Sequence, residues 1–71
     1  MIVYVVEKFT DFESSHIIKA YKDKTKALAF CLSEIKKIHK ADFHKEEIEE
    51  LPTGYRTGDQ GIIYNELNVI E

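Results

Sequence analysis

Only one stretch of this chain carries a sustained helical period: KTKALAFCLSEIKKIHK, Lys24 to Lys40, and every other segment has to be arranged around it. At 100° per residue, Ala27, Leu28, Cys31, Leu32, Ile35 and Ile38 share one face, with Lys26, Lys36, Lys37 and Lys40 opposite. One side is therefore built for a sheet and the other for water. Asp23 stands at the N-cap position, where its carboxylate can accept from the free N–H groups of the first turn, and the lysines near the far end suit the negative pole of the helix dipole. Phe30 falls toward the lysine side, a local inconsistency in the pattern. With 71 residues in all, the chain reads as a single domain spanning 1–71, because a domain of this size buries only about 60 % of its unfolded surface and has no spare core to divide.

The flanking segments read as strands. IVYVVEKF, Ile2 to Phe9, opens with five consecutive apolar residues of β-branched and aromatic type, as expected for a strand at the centre of its sheet. TDFESS supplies turn chemistry, and HIIKAYK, His16 to Lys22, follows as the second arm of a hairpin with a loop of about five or six residues. After the helix, ADFHKEEIEEL admits two readings: Phe43, Ile48 and Leu51 mark a short second helix capped by Asp42 and ended by Pro52, or the segment is irregular and acidic; the helix is preferred. GIIYNELNVIE closes the chain as a third strand, with Ile63, Leu67 and Val69 on one face and Ile62, Tyr64 and Ile70 on the other. The expected fold class is α+β, in the order β-β-α-(α)-β, with a three-stranded sheet packed against one long amphipathic helix.

GYRTGDQG, Gly54 to Gly61, resembles a phosphate loop only in its glycines. A Walker-type loop needs a lysine after its last glycine and a helix behind it, whereas Gly58 is followed by Asp59, Gln60 and a strand; a dinucleotide fingerprint must likewise open a helix. The stretch therefore reads as a turn with positive φ leading into a strand. His39, Asp42 and His44 are close in sequence, but the two histidines lie five apart and turn away from each other on a helix, so they do not form a metal pair. Cys31 lies in the middle of the apolar stripe, where a thiol behaves as a small hydrophobe. Ser14, Ser15 and His16 alternate across a strand, and Glu46, Glu47, Glu49 and Glu50 form a solvated cluster more naturally than a tuned acid–base pair. No catalytic residue, cofactor or metal is expected, and the chain reads as a non-enzyme.

Hydrophobic residues make up 44 % and charged ones 32 %, the balance of a folded chain rather than a disordered one. The net charge of −3 is unevenly spread: residues 1–40 sum to +3 and residues 41–71 to −6. Lys26, Lys36, Lys37 and Lys40, with Phe30 toward the same side, would suit weak phosphate binding, but the acidic total and the single arginine make nucleic acid a poor partner. The lone cysteine points to a reducing compartment and a cytoplasmic location, and the apolar start MIVYVV is too short for a membrane span and lacks the basic flank of a signal peptide.

The order of features resembles a group of small uncharacterised bacterial and phage proteins. The matching residues are the VYVV strand at Val3 to Val6, the aromatic Tyr21 ahead of a K-x-x-A helix start at Lys24 and Ala27, and Gly54-Tyr55 followed by the I-x-x-x-x-L strand from Ile62 to Leu67. The resemblance implies a compact α+β domain and carries no catalytic motif. The acidic run from Asp42 to Glu50 is longer than that pattern usually has.

One helix can cover one face of a three-stranded sheet, yet all three strands are apolar on both faces. Tyr4 and Val6 oppose Val3 and Val5, Ile17 and Tyr21 oppose Ile18 and Ala20, and Ile62 and Tyr64 oppose Ile63 and Leu67. One set is left to a partner unless the segment from Asp42 to Leu51 folds across it. The expected function is accordingly a protein–protein interaction module, a phage-encoded modulator or inhibitor of a host protein. Its contact surface would be Tyr4, Tyr21, Ile62 and Tyr64, or the acidic Glu46, Glu47, Glu49 and Glu50 with Tyr55 and Arg56, and self-pairing into a homodimer is an accompanying expectation. The alternatives are sequestration of a nucleotide-like anion near Arg56 and weak nucleic-acid binding through the helix lysines.

Overall fold

The computed structural model describes residues 1–11, 13–41 and 47–70. In chain order the elements are β1 (Ile2–Thr10), β2 (Glu13–Tyr21), α1 (Lys24–Ala41), β3 (Ile48–Leu51), β4 (Gly54–Thr57) and β5 (Gln60–Asn68). The strands form one sheet in the order β2-β1-β5-β4-β3, with every neighbouring pair antiparallel. The α+β class and the single long helix agree with the sequence reading; the sheet has five strands where three were expected.

The centre of the sheet is the pairing of the two ends of the chain. β1 and β5 are each nine residues long and run in unbroken antiparallel register from Ile2 opposite Asn68 to Thr10 opposite Gln60. The pairing continues past the strands, for Val69 N–H donates to Met1 O at 2.6 Å and the terminal ammonium donates to Val69 O at 3.1 Å. The β-branched run Val3, Val5 and Val6 thus sits centrally, as its composition requires.

The two extra strands come from the region expected to hold a second helix and a plain turn. Ile48 and Leu51 are three apart, a spacing that suits a helix face, but IEEL pairs with GYRT from Ile48 opposite Thr57 to Leu51 opposite Gly54. The pairing is closed by Pro52 and Thr53, with proline at the first central position, where its fixed φ favours a tight turn. As a strand, the segment sends Ile48 to one face and Leu51 to the other, and both are half-buried. Residues 42–46, including the proposed cap Asp42 and Phe43, lie outside the described residues. The positive-φ turn is present: Gly58 has φ 60° and with Asp59 joins Thr57 to Gln60, as the primed hairpin turns demand of their first central residue.

The β1–β2 hairpin is tighter than expected, because β2 begins at Glu13 and the connection is residues 11 and 12. It also contains a β-bulge. Tyr21, Ala20 and Lys19 pair with Tyr4, Val5 and Val6, but Glu7 then pairs with Ile17, leaving Ile18 as the extra residue. Simple alternation had grouped Ile17 with Tyr21. The bulge moves Ile17 to the opposite face, where it is 68 % exposed.

The helix begins as its cap dictates, with Asp23 Oδ1 accepting from Thr25 N–H at 2.8 Å and Lys26 N–H at 3.4 Å. Ala27, Cys31 and Ile35, four apart, are fully buried against Val6, Ile62 and Tyr64, with Leu28, Leu32 and Ile38 packed around them. Burying a side chain the size of Ile35 stabilises the fold by about 2–3 kcal/mol. Phe30 is no inconsistency: its ring lies 5.8 Å from that of Tyr21, with the Lys19 ammonium 5.6 Å from its centre. Edge strand β2 reaches round far enough to widen the buried stripe.

Candidate interaction surface

The register of the central strands sorts every side chain to one of two faces. Tyr4, Val6, Lys8, Tyr21, Lys19, Ile62, Tyr64, Tyr55, Thr57 and Ile48 lie on the side of α1. Val3, Val5, Glu7, Phe9, Ile17, Ala20, Ile63, Asn65, Leu67, Arg56, Glu49 and Leu51 lie on the other. No element of the described residues crosses this second face.

The four residues expected to form an open sheet surface are therefore on the covered side. Ile62 is fully buried and Tyr64 is 6 % exposed, while Tyr4 and Tyr21 pack against the same core. Tyr4 meets Tyr64 edge to face, with ring centres 5.8 Å apart and planes at 80°, the arrangement the ring quadrupoles favour. The face left open belongs to the smaller aliphatic set. One sequence signal pointed this way: the helix stripe presents Ala27 and Cys31, and small residues there leave room for the larger sheet side chains, the tyrosines.

At the centre of the open face, Val3 stands opposite Leu67, Val5 opposite both Ala20 and Asn65, and Glu7 opposite both Ile63 and Ile17. Leu67 is 52 % exposed and Ile17 68 %. Glu7, Asn65 and Arg56 on this face are already engaged. Asn65 Nδ2 donates to Glu7 Oε2 at 2.8 Å. Arg56 donates from Nε to Gly58 O at 3.1 Å and from Nη2 to Asp11 Oδ2, and its guanidinium carbon lies 6.0 Å from the centre of the Phe9 ring. That ring lies over Gly61, filling the space a β-carbon would take, so Phe9, Gly61 and Arg56 make a packed row across three strands.

No described strand sends a lysine to this face. Lys8 is in register with Ile62 and Lys19 with Val6, so both project toward α1, and no other lysine lies within a described strand. Interfaces between proteins are depleted in lysine and enriched in aromatic residues and arginine, whereas nucleic-acid surfaces need free cations.

The remaining candidates are placed as follows. Glu47, Glu49 and Glu50 are exposed on or beside edge strand β3, Glu49 in register with Arg56 and Glu50 with Tyr55; Glu46 lies outside the described residues. Tyr55 is half-buried on the helix side, so it does not join Arg56 in one surface. Lys26, Lys36, Lys37 and Lys40 are exposed along α1, with Lys37 Nζ 3.2 Å from Glu34, and Phe30 is packed on Tyr21 rather than beside them. His39 is half-buried on α1, and Asp42 and His44 lie outside the described residues.

Cys31 is fully buried, and desolvation raises its thiol to about 11, partly offset by a backbone hydrogen bond, so the reactive thiolate is suppressed. None of the described helices is long and apolar enough to cross a membrane. No protein-family model, curated protein or solved structure matches the chain.

Proposed function

We propose that this protein is a small non-enzymatic interaction module that binds another protein through the open face of its sheet. The observation that carries this reading is a largely apolar surface across β2, β1 and β5 to which no described strand sends a lysine and whose central polar groups, Glu7 and Asn65, are bonded to each other. The Asn65 amide satisfies one Glu7 oxygen, so the desolvation cost of this surface is concentrated on that one carboxylate. Leaving Val3, Val5, Ile63 and Leu67 open has no structural advantage in a chain of this size, which gains most from completing its core. The buried, unionised Cys31 thiol suits a reducing cytoplasm. By the resemblance of its sequence to small phage and bacterial proteins, its target would be a host protein whose activity it modulates or inhibits.

The nucleotide-like anion reading has less support, since Arg56 is held by Gly58 O, Asp11 and the Phe9 ring. Weak nucleic-acid binding keeps its lysines, but Phe30, the ring expected beside them, is packed on Tyr21.

The test is partner capture on the immobilised chain, comparing wild type with Leu67→Lys and with the pair Lys36→Glu and Lys37→Glu. Capture should fail with the first, survive the second and change little between low and high salt. Loss with the helix pair alone, together with a steep salt dependence, would reassign the surface to α1.

A further inference from the structure

We infer that the open face takes a partner protein whose contact surface places one arginine, ringed by apolar side chains, on the pair formed by Glu7 and Asn65. The inference rests on the reading of that face as an interface and names the chemistry of what it meets.

The strand register fixes the setting of this pair. Val5 stands opposite Asn65 and Glu7 opposite Ile63, so the carboxylate and the amide are diagonal neighbours in a square completed by two aliphatic residues. Ala20 and Ile17 flank the square on β2, and Leu67 lies two residues beyond Asn65 on β5. Asn65 Nδ2 donates to Glu7 Oε2 at 2.8 Å, and neither Glu7 Oε1 nor the Asn65 amide oxygen has a partner among the described residues. Two acceptors on adjoining side chains, one of them charged and half-buried, therefore remain open at the centre of a largely apolar surface.

A wholly apolar partner would strip water from this carboxylate and leave it unpaired, which is strongly unfavourable. The chain has no cation of its own to offer there. No described strand sends a lysine to this face, and Arg56 is held by Gly58 O and Asp11 in the row of Phe9 and Gly61. The cation must come from the other side of the interface. Arginine suits the pair better than lysine, because its planar fork can donate to Glu7 Oε1 and to the Asn65 amide oxygen at once, its guanidinium is the more weakly hydrated, and it is the cation that interfaces enrich. Val5, Ile63, Ile17 and Leu67 then form the apolar rim that keeps water from the contact. A pair sealed in this way is little screened by salt, in keeping with the weak salt dependence expected of capture.

Selection from a surface-displayed library of randomised peptides, with the immobilised chain as bait, tests this. Binders lost on Leu67→Lys should share an arginine, and Glu7→Gln, which keeps the shape of the side chain and an acceptor for Asn65, should weaken them by at least about tenfold. Both variants should keep the wild-type circular dichroism. Replacing the shared arginine by citrulline should cost as much on wild type and little further on Glu7→Gln, the signature of a direct pair. Binders that need Leu67 but share no arginine, or are indifferent to Glu7→Gln, would overturn the arginine while leaving the interaction module. Wild type sedimenting at twice the 8.3 kDa chain mass, and returning to monomer with Leu67→Lys, would also overturn it by seating a second copy on the face. A selection that yields no binder lost on Leu67→Lys would overturn both readings, because the open face would then not be an interface.

Discussion

On the helix side of β1 and β5, Val6, Ile62 and Tyr64 are closed in by Ala27, Cys31 and Ile35; on the other side, Val3, Val5, Ile63 and Leu67 form a row that no described element covers. The two faces are similarly apolar in sequence but differ in what they pack against. The covered face is uneven, with tyrosine rings entering the room left by small helix residues, and that jigsaw fit gives one ordered core. On the open face Phe9 lies over Gly61, and Asn65 is bonded laterally to Glu7 between the aliphatic residues. Apolar content alone therefore does not show which face of a sheet is core; the fit of its side chains to the small residues of the helix does.

Substitutions can break or sharpen this contrast. The largest effect is expected at Ile35, where Ile35→Ala should cost about 2–5 kcal/mol in chemical denaturation, because a fully buried site loses both transfer energy and packing. Leucine at 67 is the counterpart: Leu67→Ala, measured where the chain is monomeric, should change stability by less than about 0.5 kcal/mol. Similar losses at both positions would remove the distinction between the faces.

Cys31 probes the covered face through pH. Its folded value is raised from 9.0 to about 11, so below pH 9 the thiol is neutral in both states, and between these values only the unfolded chain ionises. Stability should fall as pH rises through that window, by at most about 2.7 kcal/mol from this residue. Cys31→Ala should lack this part of the pH slope, and a thiol reagent should modify the native chain only as fast as it opens. A smaller effect is expected at the helix cap, where Asp23→Ala should cost about 1 kcal/mol through the lost bonds to Thr25 and Lys26. The smallest belongs to the solvated pair Lys37 and Glu34, where Lys37→Gln should fall within about 0.5 kcal/mol of wild type.

The helix, its cap and its buried stripe were legible because each is encoded locally, in an Asx residue and a period of 3.6. The first and last strands were legible as β-branched runs, and the glycine turn by its chemistry. β3 and β4 were not, since IEEL has no strand signature of its own and is extended only because GYRT pairs with it across Pro52 and Thr53. The bulge at Ile18 was hidden for the same reason: it is a property of the pairing of two strands, and one extra residue moves Ile17 to the other face. The excess of apolar sheet surface was legible, whereas the identity of the open face was not. Tyrosine is favoured both at interfaces and beneath small helix residues, and here the second role holds.

The most direct test of the account is hydroxyl-radical footprinting of the intact chain as a captured partner is added. Oxidation at Leu67 and Ile17 should fall while Ile70, 93 % exposed beyond the end of β5, keeps its reactivity and Ile62 and Tyr64 stay protected throughout. If Leu67 and Ile17 remain as reactive as Ile70 under every condition, or if protection develops along the outer side of α1 instead, the open face is not where this protein meets others.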